Sequence, residues 1–144
     1  MSKEFDISEI NKLCKEIEKK GKNIRKGIKS GVTKTANQCQ SIAKRLAPVG
    51  ETGDLRLSIA RTVSENGTKV EAEVSPEVEY AVYVEMGTGQ RGMASNIERP
   101  EGVQYKADWK GQDAHPYMYP AYVKSRENLV PNIKKELNKV LERG

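Results

Sequence analysis

Apolar residues fall every three or four positions over the first third of the chain. Ile7, Ile10, Leu13, Cys14, Ile17, Ile24, Ile28, Val32, Ala36, Cys39, Ile42, Ala43 and Leu46 form one stripe, which predicts a helix over residues 7–47. Asp6 or Ser8 can cap its start, and Pro48 ends it, because a proline disfavours helix in the residue before it. Gly21, Gly27 and Gly31 weaken the middle, so a bend or break is expected near 21–31. A stripe this long buries fully only against several elements or against neighbouring subunits.

The period then shortens to two. Leu55, Leu57, Ile59, Arg61 and Val63 alternate, as do Val70, Ala72 and Val74, with Asn66-Gly67 between them. This predicts a β-hairpin over 55–75, with strands at 55–64 and 68–75 and a tight type I′ turn at Asn-Gly. Ser75-Pro76-Glu77 reads as a helix start, and a short helix over 76–86 would be closed by Gly87. A strand with Val82, Val84 and Met86 facing inward is the rival reading. Residues 87–115 are rich in Gly and Pro and form a long loop, functional or mobile. Within it the alternation of Val103, Tyr105, Ala107 and Trp109 suggests a third strand near 103–110. Residues 117–142 are helical, opened by Pro120 and kinked or restarted at Pro131. The fold class is therefore α+β in one domain, 1–144: a long N-terminal helix, a small antiparallel sheet with a central hairpin, a short middle helix, a long loop and a C-terminal helix.

Composition makes the core thin: of 144 residues, 36% are apolar and 31% charged. An extended shape, or stabilisation by partner subunits, follows. Charge is uneven. Residues 1–47 carry 12 Lys/Arg against 5 Asp/Glu, and the remainder 13 against 15. A basic helix can mean a nucleic-acid partner or simply a solvated face. Cys14 and Cys39 lie too far apart on one helix for a disulfide and read as small core residues. The charged start and the lack of a ~20-residue apolar run point to synthesis in the cytoplasm, with no signal and no membrane span.

Candidate chemistry is sparse. Gly87-Thr88-Gly89-Gln90-Arg91-Gly92 fits G-x-G-x-x-G, but a dinucleotide site needs a strand before it and a helix after it within a βαβ unit. MASNIERPEG follows, with no apolar stripe, so no cofactor is expected. His115 is the only histidine, which excludes a His-rich metal site; a general base is conceivable there, a loop residue the plainer reading. Ser58 and Ser75 lack a nucleophile-elbow frame. Glu85, between Val84 and Met86, is either an exposed helix residue or a carboxylate that accepts backbone N–H groups and holds the glycine turn. No catalytic, cofactor or metal residue is assigned.

Three stretches together resemble a family. Ala47-Pro48-Val49 through Thr52-Gly53, Leu55-Arg56 and Ser58-Ile59 resembles A-P-V-x-T-G-x-L-R-x-S-I. Tyr80-Ala81-Val82-Tyr83-Val84-Glu85-Met86-Gly87-Thr88 resembles Y-A-x-Y-V-E-F-G-T. Ala114-His115-Pro116-Tyr117-Met118-Tyr119-Pro120-Ala121 resembles A-x-P-F-L-x-P-A. These belong, in this order, to the head–tail connector or tail-completion (minor tail) proteins of tailed bacteriophages, the gene-product-ten-like family of lambdoid phages. The chain departs from the pattern at Gly50-Glu51, one residue longer, and at Met86, Tyr117 and Met118, apolar-for-apolar exchanges.

The resemblance implies a non-catalytic virion protein of the neck, forming a ring, six-membered, at the head-proximal end of the tail. Its partners would be further copies of itself, tail-tube or tail-terminator proteins and head-connector proteins, with DNA passing close by. The motif residues it marks as structural or assembly positions are Pro48, Thr52, Gly53, Leu55, Ser58, Tyr80, Ala81, Tyr83, Glu85, Gly87, Thr88, Pro116, Tyr117 and Pro120. Lys19, Lys22, Arg25, Lys26, Arg91 and Arg99 are the candidate contact residues on the basic helix and the loop. The alternative is a basic-helix nucleic-acid-binding module. It is disfavoured because its lysines lie all around the helix and no stacking aromatics accompany them.

Overall fold

The computed structural model describes residues 7–50 and 52–143. Helix α1 runs unbroken over Ile7–Leu46, a rod of about 60 Å at 1.5 Å per residue. The glycines do not break it. Helix α6 (Leu129–Arg143) packs against α1 where two of them lie. A Cβ on Gly31 would stand 2.6 Å from the Cα of Ile133, and one on Gly27 would stand 3.0 Å from Leu137 Cδ2. The glycines thus trade helix propensity, about 1 kcal/mol each relative to Ala, for a close approach of two helix backbones. Beside this seam Asn132 Nδ2 donates to Thr35 Oγ1 at 2.9 Å and to Gln38 Oε1 at 3.1 Å, a buried polar cluster.

Several boundaries differ from the sequence reading. Residues 55–59 are not strand: Asp54–Ser58 is a short helix, α2, and the hairpin is β1 (Ala60–Asn66) with β2 (Lys69–Ser75). Leu55 and Ile59 are two strand alternations apart but also one helical turn apart. Both are buried, whereas Leu57 between them is 75% exposed, which is the helical pattern. The hairpin turn is also displaced. Asn66 pairs with Lys69, so the two loop residues are Gly67 and Thr68. Gly67 has φ +58°, and among the described residues none other than glycine has positive φ. A type I′ turn needs positive φ at both positions, and this one has it only at the first, as a II′ turn does.

The middle helix, α3, spans Ala81–Met86 rather than 76–86. Ser75 is consumed as the last residue of β2, and Glu77 N donates to Ser58 O at 3.2 Å, so neither Ser75 nor Pro76 opens a helix. The strand expected at 103–110 does not form. A second short helix, α4 (Gly89–Ala94), and one isolated bridge between Thr88 and Gln112 organise the 87–115 segment instead. The C-terminal helical stretch is two helices, α5 (Met118–Arg126) and α6. The restart falls just before Leu129, which places Pro131 in the first turn of α6, where its missing N–H costs nothing.

The two-stranded sheet lies with β2 along α1, Val70 and Val74 half-buried over Val32 and Cys39. The core sits at the C-terminal end of α1: Cys39, Ala43, Ala47, Leu55, Ile59, Ala81, Tyr117 and Ala121. Among the described residues Tyr117 and Ile59 are its only large, fully enclosed side chains. Accessible surface is 10996 Å², against about 7,400 Å² for a compact monomer of this mass. The chain is elongated.

Two glycine substitutions separate packing from propensity. Gly21 has nothing within 4 Å of a would-be Cβ, so Gly21→Ala raises helix stability by up to about 1 kcal/mol. Gly31→Ala, the same exchange on the same helix, destabilises by about 1–3 kcal/mol because Ile133 must move. Urea unfolding followed by circular dichroism reads both.

Candidate assembly site

The three sequence motifs meet at one place. Glu85, the fifth residue of α3, turns inward and is buried. Its Oε2 accepts from the backbone N–H of Tyr117 at 2.8 Å and of Met118 at 3.0 Å, and its Oε1 from that of Tyr119 at 3.0 Å. These are the N-cap and first two residues of α5, whose side-chain cap is missing. A helix start leaves unsatisfied N–H groups and a partial positive charge. Glu85 supplies the acceptor from 32 residues away, through charge-assisted bonds. Glu85 is therefore not the exposed helix residue of the one sequence reading, and the amides its carboxylate accepts belong to the start of α5 rather than to the glycine turn of the other. His115 N donates to Val84 O at 2.8 Å and Tyr117 Oη to Ala81 O at 3.3 Å, closing the same joint. Burial, and then the neighbouring Glu85, push the Tyr117 hydroxyl up to about 12.

The first motif closes the far side. Ala47, Leu55 and Ile59 are core residues. Arg56 Nη2 donates to Ala47 O at 3.1 Å, capping the exit of α1, while its Nε is buried without a partner among the described residues. Ser58 Oγ donates to Leu55 O at 2.8 Å, and Gln40 Nε2 to Ile59 O at 3.0 Å. Gly53, with φ +70°, precedes α2, and Thr52 Oγ1 accepts from Asp54 N at 3.4 Å. Pro48 is exposed after the end of α1; Pro116 is half-buried just before α5, and Pro120 is half-buried as the third residue of α5, so it does not open that helix as its sequence suggested.

The glycine run is a packing device. Gly87 has φ +74°, and a Cβ there would fall 2.6 Å from Ala114 N, 2.7 Å from Gln112 O and 2.7 Å from Gly92 Cα. Gly89 and Gly92 are themselves buried. The amides of a phosphate cradle are already engaged: Thr88 N donates to Gln112 O, Gln90 N to Trp109 O and Arg91 N to Lys110 O, all between 2.8 and 2.9 Å. The segment read as a free loop is tied down. Arg99 completes it. Its Nη2 donates to Gly92 O, Met93 O and Ser95 O at 2.8, 3.0 and 2.5 Å, and its Nε to Tyr105 Oη at 3.0 Å. The cation therefore closes the C-terminal end of α4, complementing the dipole there, while its side chain stays exposed. Nothing in the sequence marked Arg99 for this. Arg91, Lys19, Lys22, Arg25 and Lys26 are all exposed.

What remains open is apolar. Val82 and Tyr83, on the outer side of α3, are 55% and 60% exposed, and Trp109 is 55% exposed. With Met86, Pro100 and Val103 they line a groove of about 830 Å³. Sequence reading missed it, because these residues look like ordinary core positions until α3 is seen to bury only Ala81 and Glu85. Among the described residues no group of three or more His, Cys, Asp or Glu is gathered as a metal ion needs, and no helix is long and apolar enough to cross a membrane.

This is the anatomy of a structural subunit: the charged groups of its motifs join helix ends, and its exposed side chains offer surface. A family model described as "Bacteriophage HK97-gp10, putative tail-component" matches residues 11–87, more than half of the chain. The protein belongs to this HK97-gp10-like family of bacteriophage tail components, structural proteins rather than enzymes. The match takes in the first motif and the second as far as Gly87, two residues beyond Glu85. Searches of curated proteins and of solved structures return no match.

Glu85→Ala leaves three amides without an acceptor and costs about 3 kcal/mol or more, read as a lowered urea midpoint. Alkaline titration gives a second check. The unfolded Tyr117 hydroxyl ionises near pH 10 and the folded one only at about 12, so native stability is full below pH 10 and falls as pH rises through 12. Tyr117→Phe removes that part of the alkaline loss.

Proposed function

We propose that the chain is a neck subunit of a tailed-phage virion or prophage. Copies assemble as a ring, six in number, at the head-proximal end of the tail. The ring completes the tail and joins it to the filled capsid. Its neighbours are tail-tube or tail-terminator proteins below and head-connector proteins above, and the genome passes through it, close to the basic helix α1. The protein is made in the host cytoplasm and resides in the virion.

Family membership over residues 11–87 carries this reading. The third motif, Ala114–Ala121, extends the resemblance beyond the matched span, and Glu85 physically joins it to the second. The surface supports it too. An accessible area roughly 3,500 Å² above that of a compact monomer leaves ample surface for two flanking neighbours, since a standard interface buries about 800 Å² per partner. The motif residues then act in assembly mostly from beneath, by fixing the surface that Tyr80, Val82 and Tyr83 present.

Deleting the gene from its phage tests the role. Filled heads and free tails accumulate separately, and a complementing tagged copy is seen by electron microscopy at the head-proximal end. Infectious, fully joined particles from the deletion would overturn the assignment.

A further inference from the structure

Lys12, Lys15, Lys19, Lys22, Lys26 and Lys29 follow one another at intervals of 3, 4, 3, 4 and 3 residues. A helix turns about 100° per residue, so this spacing keeps them within roughly 100° of its circumference. A break at 21–31 would divide them between two segments with no common face. Helix α1 is unbroken over Ile7–Leu46, and the six lysines form one stripe about 26 Å long, with Arg25 beside its far end. The lysines therefore do not lie all around the helix, as the sequence reading had it. Of those in residues 11–29, only Lys20 falls off the stripe.

The stripe is bare. All six lysines and Arg25 are exposed. Helix α6 packs on a different side of α1, that of Gly27 and Gly31, and Leu13, Ile17 and Ile24 lie opposite the stripe. Glu16 and Glu18 stand one on each edge of it and neither falls within it. Among the described residues only Lys29 of the six has an ion pair, with Glu65 at 3.7 Å. A solvated helix face ordinarily alternates in sign, because like charges three or four residues apart destabilise the helix. Here every step along the stripe is from cation to cation.

We infer that this stripe is a track for the phosphate backbone of duplex DNA, bound without regard to sequence. A narrow line of one sign fits a linear polyanion. Duplex DNA carries one phosphate per about 1.7 Å of its axis, so about fifteen lie along the length of the stripe, more than its lysines can neutralise. A lysine is a point charge on a flexible stem, without the bidentate fork of arginine, and attracts phosphate without fixing a register. The stripe holds no aromatic side chain on which unpaired bases could stack, which favours a closed duplex. A membrane surface fits less well. A basic amphipathic helix enters it by the apolar face, and α6 stands beside that face at Gly27. The inference rests on the neck reading for its setting, in which the genome passes close to α1, and adds the face that meets it.

Fluorescence anisotropy of the full chain with two short labelled DNA duplexes of unrelated sequence tests it. Wild type binds both alike, and the logarithm of its affinity falls against that of salt with a slope of about −5. Lys19→Gln, Lys22→Gln and Lys26→Gln together reduce the slope by about three and weaken binding at low salt at least about tenfold. Glutamine matches lysine in helix propensity, and circular dichroism confirms that the fold is kept. Lys106→Gln, Lys110→Gln and Lys124→Gln, exposed and off α1, remove the same charge elsewhere and change binding little. Equal loss from the two triple variants makes net charge responsible and overturns the inference. Absence of duplex binding at low salt also overturns it. Polyglutamate bound as tightly as duplex overturns it too, and assigns the stripe to an acidic protein surface. None of these outcomes touches the neck reading, which the gene deletion decides alone: joined particles from the deletion would leave a DNA-binding stripe standing without it.

Discussion

The carboxylate of Glu85 stands where three otherwise separate parts of the chain have to agree. A short helix has too few internal hydrogen bonds to be stable alone. Both α3 and α5 are short, and neither carries a side-chain cap of its own. By accepting three amides at the start of α5, Glu85 makes each helix a condition for the other. The same joint seats Tyr117 in the centre of the core and brings Ala121 against Ala43 and Ala47. With so few large side chains enclosed, dispersion and apolar burial alone supply little. A charge-assisted cap therefore carries an unusual share of the tertiary specification.

The same device recurs with opposite sign. Arg99 closes the C-terminal end of α4, and Arg56 closes the exit of α1. Each charged group is placed at the helix end whose dipole it complements, and each is held by backbone groups rather than by a counter-ion. Surface ion pairs such as Lys69–Glu71 contribute little beside these. A small subunit with a long polar surface can in this way be well defined without a large core. It can also present apolar side chains outward, as α3 does, without losing its own fold.

The sequence was readable where one period dominates and ambiguous where two coincide. The forty-residue stripe of α1 and the existence of the hairpin were both legible. Leu55 and Ile59 satisfy strand and helix spacing alike, and only the exposure of Leu57 separates the two. Ser75 and Pro76 look like a helix start because capping chemistry is local, yet pairing with Ala60 keeps Ser75 in the sheet. Of the joint itself, Glu85 was half visible: an acid between two apolar residues beside a glycine turn. Its acceptor role depends on a contact 32 residues away that no local pattern encodes. The glycines at 27 and 31 were read as a weakness of one helix, although their spacing of four is also what lets a second helix come close.

That glycine seam has a mechanical corollary. Where α6 meets Gly27 and Gly31 there are no side chains to interlock on the α1 side, so packing alone fixes poorly how far α6 has slid along α1. The detent is polar. Asn132 reaches both Thr35 and Gln38, and a slip by one helical turn, about 5.4 Å, would strand its buried amide. The two longest helices are thus free of any continuous adjustment. Their relative position is set in steps by Asn132 on Thr35 and Gln38, with Glu136 on Lys34 one turn further along, so a load passed along the rod would be resisted until these contacts yield together.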